Sequence, residues 1–148
     1  MRIGNKEQCN FMAQVGLLED NARIAKLCAT MLHYAGHQVT VYEHPQQCLH
    51  ALLPEATSFG SIRFQHAPLK PLPVEILILD LYLPDISGIE VLRRLQSYPH
   101  TQNLPLILCT AAPDPDVNRA LSIVPHAGFV EKPFKLEVLI SAITKALK

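Results

Sequence analysis

Leu77-Ile78-Leu79-Asp80-Leu81-Tyr82-Leu83-Pro84-Asp85-Ile86-Ser87-Gly88 runs from a continuous apolar stretch to one carboxylate and then into a Pro/Asp/Ser/Gly turn. An apolar run without alternation reads as a strand buried on both faces, the pattern of a central strand in a parallel sheet. Asp80 then stands at the carboxyl end of that strand, the edge where open α/β sheets place their ligands. A bare carboxylate there is costly unless another group compensates it. What else converges on that edge decides the chemistry.

Outward from this strand, strand and helix signals alternate five times. Residues 15–18 read as a short buried strand. Ile24, Leu27, Cys28, Met31 and Leu32 then repeat at helical spacing, stopped by Gly36. Residues 38–42 are rich in β-formers, and Pro45 suits the first turn of a helix reaching about Leu53. Residues 75–80 form the third strand. Ser87 or Asp85 can cap a helix carrying Ile89, Leu92 and Leu95. Residues 106–110 form the fourth strand, and Asp114 or Asp116 can cap a short helix through Val117 and Leu121. Phe129-Val130 is a short fifth strand, and Leu136, Leu139, Ile140, Ile143 and Leu147 mark a last helix. Five β/α units in this length predict an α/β fold, a parallel sheet with helices on both faces.

One segment breaks the rhythm. Residues 54–73 fill a helix-to-strand connection that is usually a few residues long, and hold prolines 54, 68, 71 and 73. We read 1–12 as an N-terminal extension and 13–148 as one domain, with 54–73 as a Pro-rich surface insertion. A loop from a helix to the next strand emerges at the amino ends of the strands, away from Asp80.

The bulk numbers narrow the function. The 148 residues suffice for one domain with a real core. Lys+Arg and Asp+Glu are 13 each, which argues against direct nucleic-acid binding as the main role. No apolar stretch reaches membrane-spanning length, and residues 1–12 lack the apolar core of a signal peptide, so the expected compartment is cytoplasmic. Cys9, Cys28, Cys48 and Cys109 form no CxxC pair, and the last three fall in apolar patterns as buried thiols. His33 and His37 have the spacing of a metal pair, but Gly36 is read as ending their helix.

Four features fall at predicted carboxyl strand ends: Glu19-Asp20 after the first strand, Asp80 at the third, Thr110 at the fourth, and Lys132-Pro133 after the fifth. Three carboxylates within roughly 5 Å repel by about 3 kcal/mol per pair at an effective dielectric near 20. A hard divalent cation relieves this, and an oxygen-only set suits Mg2+ or Mn2+. With Lys132 and a dication the formal charge sums to zero. Such a site suits phosphoryl transfer: a carboxylate can attack phosphorus, while a cation and a lysine neutralise the transferring oxygens and a hydroxyl donates to one of them.

This pattern resembles the receiver domain of bacterial two-component response regulators, over about residues 14–148. The matching features are the acidic pair Glu19-Asp20, Asp80 within Leu-Asp-Leu-Tyr-Leu-Pro-Asp-Ile-Ser-Gly, Thr110 followed by Ala111, Lys132-Pro133-Phe134, and Phe129 three residues before the lysine. The resemblance implies a flavodoxin-like (βα)5 doubly wound sheet of strand order 2-1-3-4-5. It implies a phosphorylation switch in which a sensor histidine kinase or phosphotransfer protein supplies a phosphoryl group to Asp80. It also implies Mg2+ at Glu19, Asp20, Asp80 and the Tyr82 backbone carbonyl, and Thr110 and Phe129 as switch residues. Lys132 would pair with the phosphoryl oxygens, with a cis Lys132-Pro133 bond aiming it into the cleft.

The implied output face combines the fourth helix, fifth strand and fifth helix, a surface that would serve a downstream effector, a missing output domain or a homodimer. The last helix closes the chain, as expected of either a stand-alone regulator or a receiver from a longer protein. The family is a switch that assists its own phosphorylation and dephosphorylation rather than an enzyme acting on a separate substrate. Two alternatives are a receiver-like scaffold that needs no phosphorylation and a Mg-dependent aspartyl-phosphate phosphohydrolase. The second lacks its usual DxD, since Leu81 and Tyr82 follow Asp80.

Overall fold

The computed structural model describes residues 12–54 and 71–148. In chain order the elements are β1 Gln14–Leu18, α1 Ala22–Tyr34, β2 Gln38–Tyr42, α2 Pro45–Leu52, β3 Ile76–Leu79, α3 Gly88–Gln96, β4 Leu106–Thr110, α4 Asp114–Ile123, β5 Gly128–Glu131 and α5 Leu136–Ala146. The five strands form one sheet in the order β2-β1-β3-β4-β5, and every pairing is parallel. This is the flavodoxin-like order expected from the sequence. Residues 1–11 and most of the 54–73 insertion (residues 55–70) lie outside the described residues.

Alternation along the strands builds two cores. Leu77 and Leu79 of β3, with Leu106 and Leu108 of β4, pack under α2, α3 and α4 through Leu49, Leu52, Leu92, Leu95 and Val117. Ile76, Ile78, Ile107 and Cys109 face the other way, onto α1 and α5 through Cys28, Leu32, Leu139 and Ile143. Each central strand is buried on both sides, which is why its sequence is an unbroken apolar run.

Several local expectations change at element ends. Strand β3 stops at Leu79, so Asp80 is the first residue beyond it, its backbone N–H still donating to the Leu18 carbonyl of β1 at 3.4 Å. Ser87, not Asp85, caps α3, its side chain accepting from the Glu90 N–H at 3.3 Å. Asp85 instead adopts φ 62, a left-handed turn that Asp tolerates better than most residues. Neither Asp114 nor Asp116 caps α4. The N-cap is Pro113, which makes no side-chain cap, and the two acids lie in the first turn. There they favour the helix dipole and leave their carboxylates available for other partners.

Gly36 has φ +96 and ends the α1 segment in the left-handed conformation that glycine adopts without cost. His37 is then buried beside β1, where its Nδ1 accepts the Ala13 N–H at 3.1 Å. The three described cysteines are buried free thiols, and burial pushes Cys48 and Cys109 up to about 12.

Candidate functional site

The site is assembled at the carboxyl edge by the turns that leave β1, β3, β4 and β5. The turn after β1 carries Glu19, which is only 4% exposed. Its Oε2 accepts the Asn21 N–H at 3.1 Å, and Asn21 in turn caps α1 by accepting from Arg23 N and Ile24 N. The α1 cap thus also fixes the buried acid. Asp20, next in sequence, is exposed at the rim.

The turn after β3 carries Asp80, whose backbone is held by the close approach of α3. A Cβ on Gly88 would lie 2.5 Å from the Asp80 carbonyl oxygen and 2.6 Å from Leu81 Cα. Only glycine admits this contact, and the Gly88 N–H donates to the Leu81 carbonyl at 2.9 Å. Asp80 Oδ1 accepts the Tyr82 N–H at 3.2 Å.

Lys132 reaches in from the end of β5, and the Lys132-Pro133 peptide bond is cis. Its backbone N–H donates to the Thr110 carbonyl at 3.0 Å, which extends the β4–β5 pairing by one step. Its Nζ donates to Glu19 Oε1 at 2.6 Å and to Asp80 Oδ2 at 2.8 Å. Burial alone would lower the lysine pKa, but hydrogen bonds and charge from Asp80 and Glu19 outweigh it and hold the ammonium above its ordinary value. Two carboxylates around one ammonium leave a net charge of minus one in a largely enclosed place.

Thr110, the last residue of β4, is fully buried, and its Oγ1 accepts the Ala112 N–H at 3.1 Å. Phe129 on β5 is 41% exposed, so it is not a plain core residue. Tyr82 is 56% exposed and its hydroxyl donates to Asp116 Oδ2 on α4 at 2.7 Å. That hydrogen bond, followed by smaller effects of desolvation and of the Asp116 and Asp80 charges, raises the phenol pKa. On the other side of the same loop, His44 Nε2 and Asp85 Oδ2 are 2.8 Å apart.

The structure therefore joins Glu19, Asp80 and Lys132 directly, sets Thr110 close by on the adjoining strand end, and leaves Asp20 and Phe129 facing outward. Among the described residues no group of three or more His, Cys, Asp or Glu side chains is gathered for a metal. Two of the three expected carboxylates meet, with the Lys132 ammonium between them. Donors that meet at this edge are carboxylates alone, a set that fits a hard cation rather than a soft one. Asn21 and His44 are absent from the sequence expectation, and Asp116 enters it only as a candidate helix cap. Asn21 had a legible signal, an Asn directly before a helix. The other two join residues 41 and 34 positions apart, and no local pattern announces such pairs. A cavity of about 400 Å³ between α2 and α3, lined by residues including Leu49, Arg94 and Tyr98, contains none of these groups.

Comparison with known proteins agrees with this geometry. The response regulator receiver domain family matches residues 15–144. The chain is 32% identical over 133 residues to the uncharacterized transcriptional regulatory protein YkoG of Bacillus subtilis, covering 89% of this chain and 50% of that protein. It is 28% identical to the phosphate regulon transcriptional regulatory protein PhoB of Pseudomonas aeruginosa, covering 89% of this chain and 50% of that one. Among solved structures, a CheY-like receiver domain protein of Methanospirillum hungatei superposes with TM-score 0.72 at 17% identity, covering 93% and 94% of the two chains. The chemotaxis regulator CheY4 of Vibrio cholerae superposes with TM-score 0.69 at 20% identity, covering 93% and 100%.

The chain belongs to the response regulator receiver domain family of two-component signalling. It spans about half the length of YkoG and of this PhoB. No helix among the described residues is long and apolar enough to cross a membrane.

Proposed function

We propose that this domain is a phosphorylation switch whose phosphoacceptor is Asp80, operating as one unit over residues 13–148 in the cytoplasm. The observation that carries the reading is the shared ammonium: Lys132 Nζ binds Glu19 and Asp80 together at the edge where five parallel strands end. A carboxylate oxygen of Asp80 attacks the phosphorus of a phosphohistidine on a sensor kinase or phosphotransfer protein. An O–P bond forms as the P–N bond breaks, and the imidazole nitrogen departs with the electron pair. Lys132 then follows the charge from the carboxylate to a phosphoryl oxygen, an interaction strengthened by its partial burial.

Glu19, Asp20, Asp80 and the Tyr82 carbonyl would hold Mg2+, which when bound neutralises negative charge on the transferring phosphoryl group. Glu19 is already engaged by Lys132 and the Asn21 N–H, whereas Asp20 is exposed to an arriving ion. Asp20→Asn should therefore weaken Mg2+ binding more than Glu19→Gln. A titration in which the wild type gives no Mg2+-dependent signal would remove the metal from this account.

In this reading the Thr110 and Phe129 positions belong to the unphosphorylated state. Thr110 is satisfied by Ala112, and Phe129 faces out. On phosphorylation Thr110 turns its hydroxyl to the phosphoryl group and Phe129 moves into the space it leaves, which alters the α4-β5-α5 surface read by an effector or an output domain. Incubation with phosphoramidate and Mg2+ tests the reading, because that donor carries the P–N bond of a phosphohistidine. Intact-mass measurement should show one added phosphoryl group on the wild type and none on Asp80→Asn. Continuous donor hydrolysis with no adduct would favour a phosphohydrolase, and no reaction at all a phosphorylation-independent scaffold.

A further inference from the structure

Tyr82 is held at both ends. Its backbone N–H donates to Asp80 Oδ1, and its hydroxyl donates to Asp116 Oδ2 in the first turn of α4. One residue therefore connects the phosphoacceptor carboxylate to a helix 34 positions further along the chain, by a route that involves neither Thr110 nor Phe129. The partner is a carboxylate, and Asp114 adds a second acid to the same turn. Pro113 supplies no side-chain cap, and the turn is held by the Asp116 and Val117 N–H groups donating to the Pro113 carbonyl, which leaves the Asp116 carboxylate available to the tyrosine.

We propose that Asp116 is a positioning residue for the phosphorylation site: through the Tyr82 hydroxyl it ties the loop bearing Asp80 to α4 in the unphosphorylated state, and phosphorylation weakens that tie. The proposal rests on Asp80 being the phosphoacceptor. A phosphoryl group on Asp80 brings further negative charge to one end of Tyr82 while the Asp116 carboxylate sits at the other. It also draws on the same loop, since Asp80 Oδ1 is held by the Tyr82 N–H. Both effects make the bridge less favourable once the phosphoryl group is present, so the bridge belongs to the unphosphorylated arrangement. By linkage, an interaction that phosphorylation weakens must itself oppose phosphorylation to the same degree.

The test is a double-mutant cycle on the affinity for beryllofluoride with Mg2+, a stable phosphoryl mimic. Asp116→Ala and Tyr82→Phe should each raise that affinity by about threefold to tenfold, the range of one hydrogen bond's net contribution. The double variant should match either single variant, because all three lack the same bond. In amide NMR spectra, Asp116 and Val117 of free Tyr82→Phe should already lie displaced toward their beryllofluoride-bound positions in the wild type. A structural defect in α4 would not produce that signature together with non-additivity. Unchanged or lowered affinity, or effects that multiply in the double variant, overturns the bridge while leaving the phosphoacceptor assignment standing. If the wild type takes up no beryllofluoride, or Asp80→Asn takes it up equally, the phosphoacceptor reading falls and the proposal with it.

Discussion

Lys132 is the residue on which the site's electrostatics turn. Its ammonium separates two carboxylates that would otherwise face each other in a partly buried place. Lys132→Ala should cost about 1–3 kcal/mol in denaturant unfolding without metal, because two acceptors lose a charged donor. Added Mg2+ should recover part of that loss, since a dication can replace the missing charge, whereas phosphorylation should no longer alter the output surface. A raised folded-state pKa means that the lysine stabilises the fold fully below its ordinary value of about 10.4 and loses that contribution as pH rises through the folded value. The loss is therefore alkaline, and unfolding curves between pH 7 and 9 should not reveal it. Gly88 is the other decisive residue. Gly88→Ala places a methyl group against backbone atoms that cannot swing aside, so it should lower stability and displace Asp80, with a fall in both Tm and beryllofluoride affinity. A variant with wild-type values for both would show that the loop yields freely.

At the scale of elements, the caps decide where side chains arrive. Asn21 caps α1 and its backbone N–H holds Glu19, so Asn21→Ala should cost about 1 kcal/mol through the lost cap, measurable by urea denaturation. The helices were legible from the 3.6-residue repeat of one buried face and the central strands from apolar runs buried on both faces, because both are local patterns. The start of α4 was misread for an equally physical reason. Asp114 and Asp116 look like caps, but Pro115 sits at the second helical position and Pro113 already has the extended backbone of an N-cap. The entry to β1 adds a pH dependence. His37 is buried and its Nδ1 serves as an acceptor, so burial lowers its pKa below the ordinary 6.5. The unfolded chain then binds this proton more readily than the folded one, and stability falls as pH drops below about 6.5. Denaturant midpoints at pH 7.5 and 5.5 should differ more for the wild type than for His37→Gln. Equal pH dependence in the two would remove His37 as the cause.

For the whole molecule, the sheet order β2-β1-β3-β4-β5 brings residues 19, 80, 110 and 132 to one edge although they are far apart in the chain. That convergence was legible because parallel β/α units put every strand's carboxyl end on the same side. The two side-chain ties on the Asp80 loop, to His44 and to Asp116, were not, because each depends on how loops from different units meet. The described flanks of the 54–73 segment join α2, which ends at Leu52, to β3, which starts at Ile76, and a helix-to-strand connection emerges at the edge opposite Asp80. Replacing residues 55–70 with a short Gly/Ser linker should therefore leave phosphorylation by acetyl phosphate intact, and its loss in a folded variant would put the insertion in the active site.

The central claim is that Asp80 alone carries the phosphoryl group. Its most direct test is reduction of the acetyl phosphate-treated, Mg2+-loaded protein with borohydride, followed by peptide mass spectrometry, since reduction converts an aspartyl phosphate to homoserine. Homoserine is expected at position 80 and nowhere else, and none in protein that was not phosphorylated. Homoserine at Asp20, Asp85 or Asp116 with position 80 unmodified would contradict it.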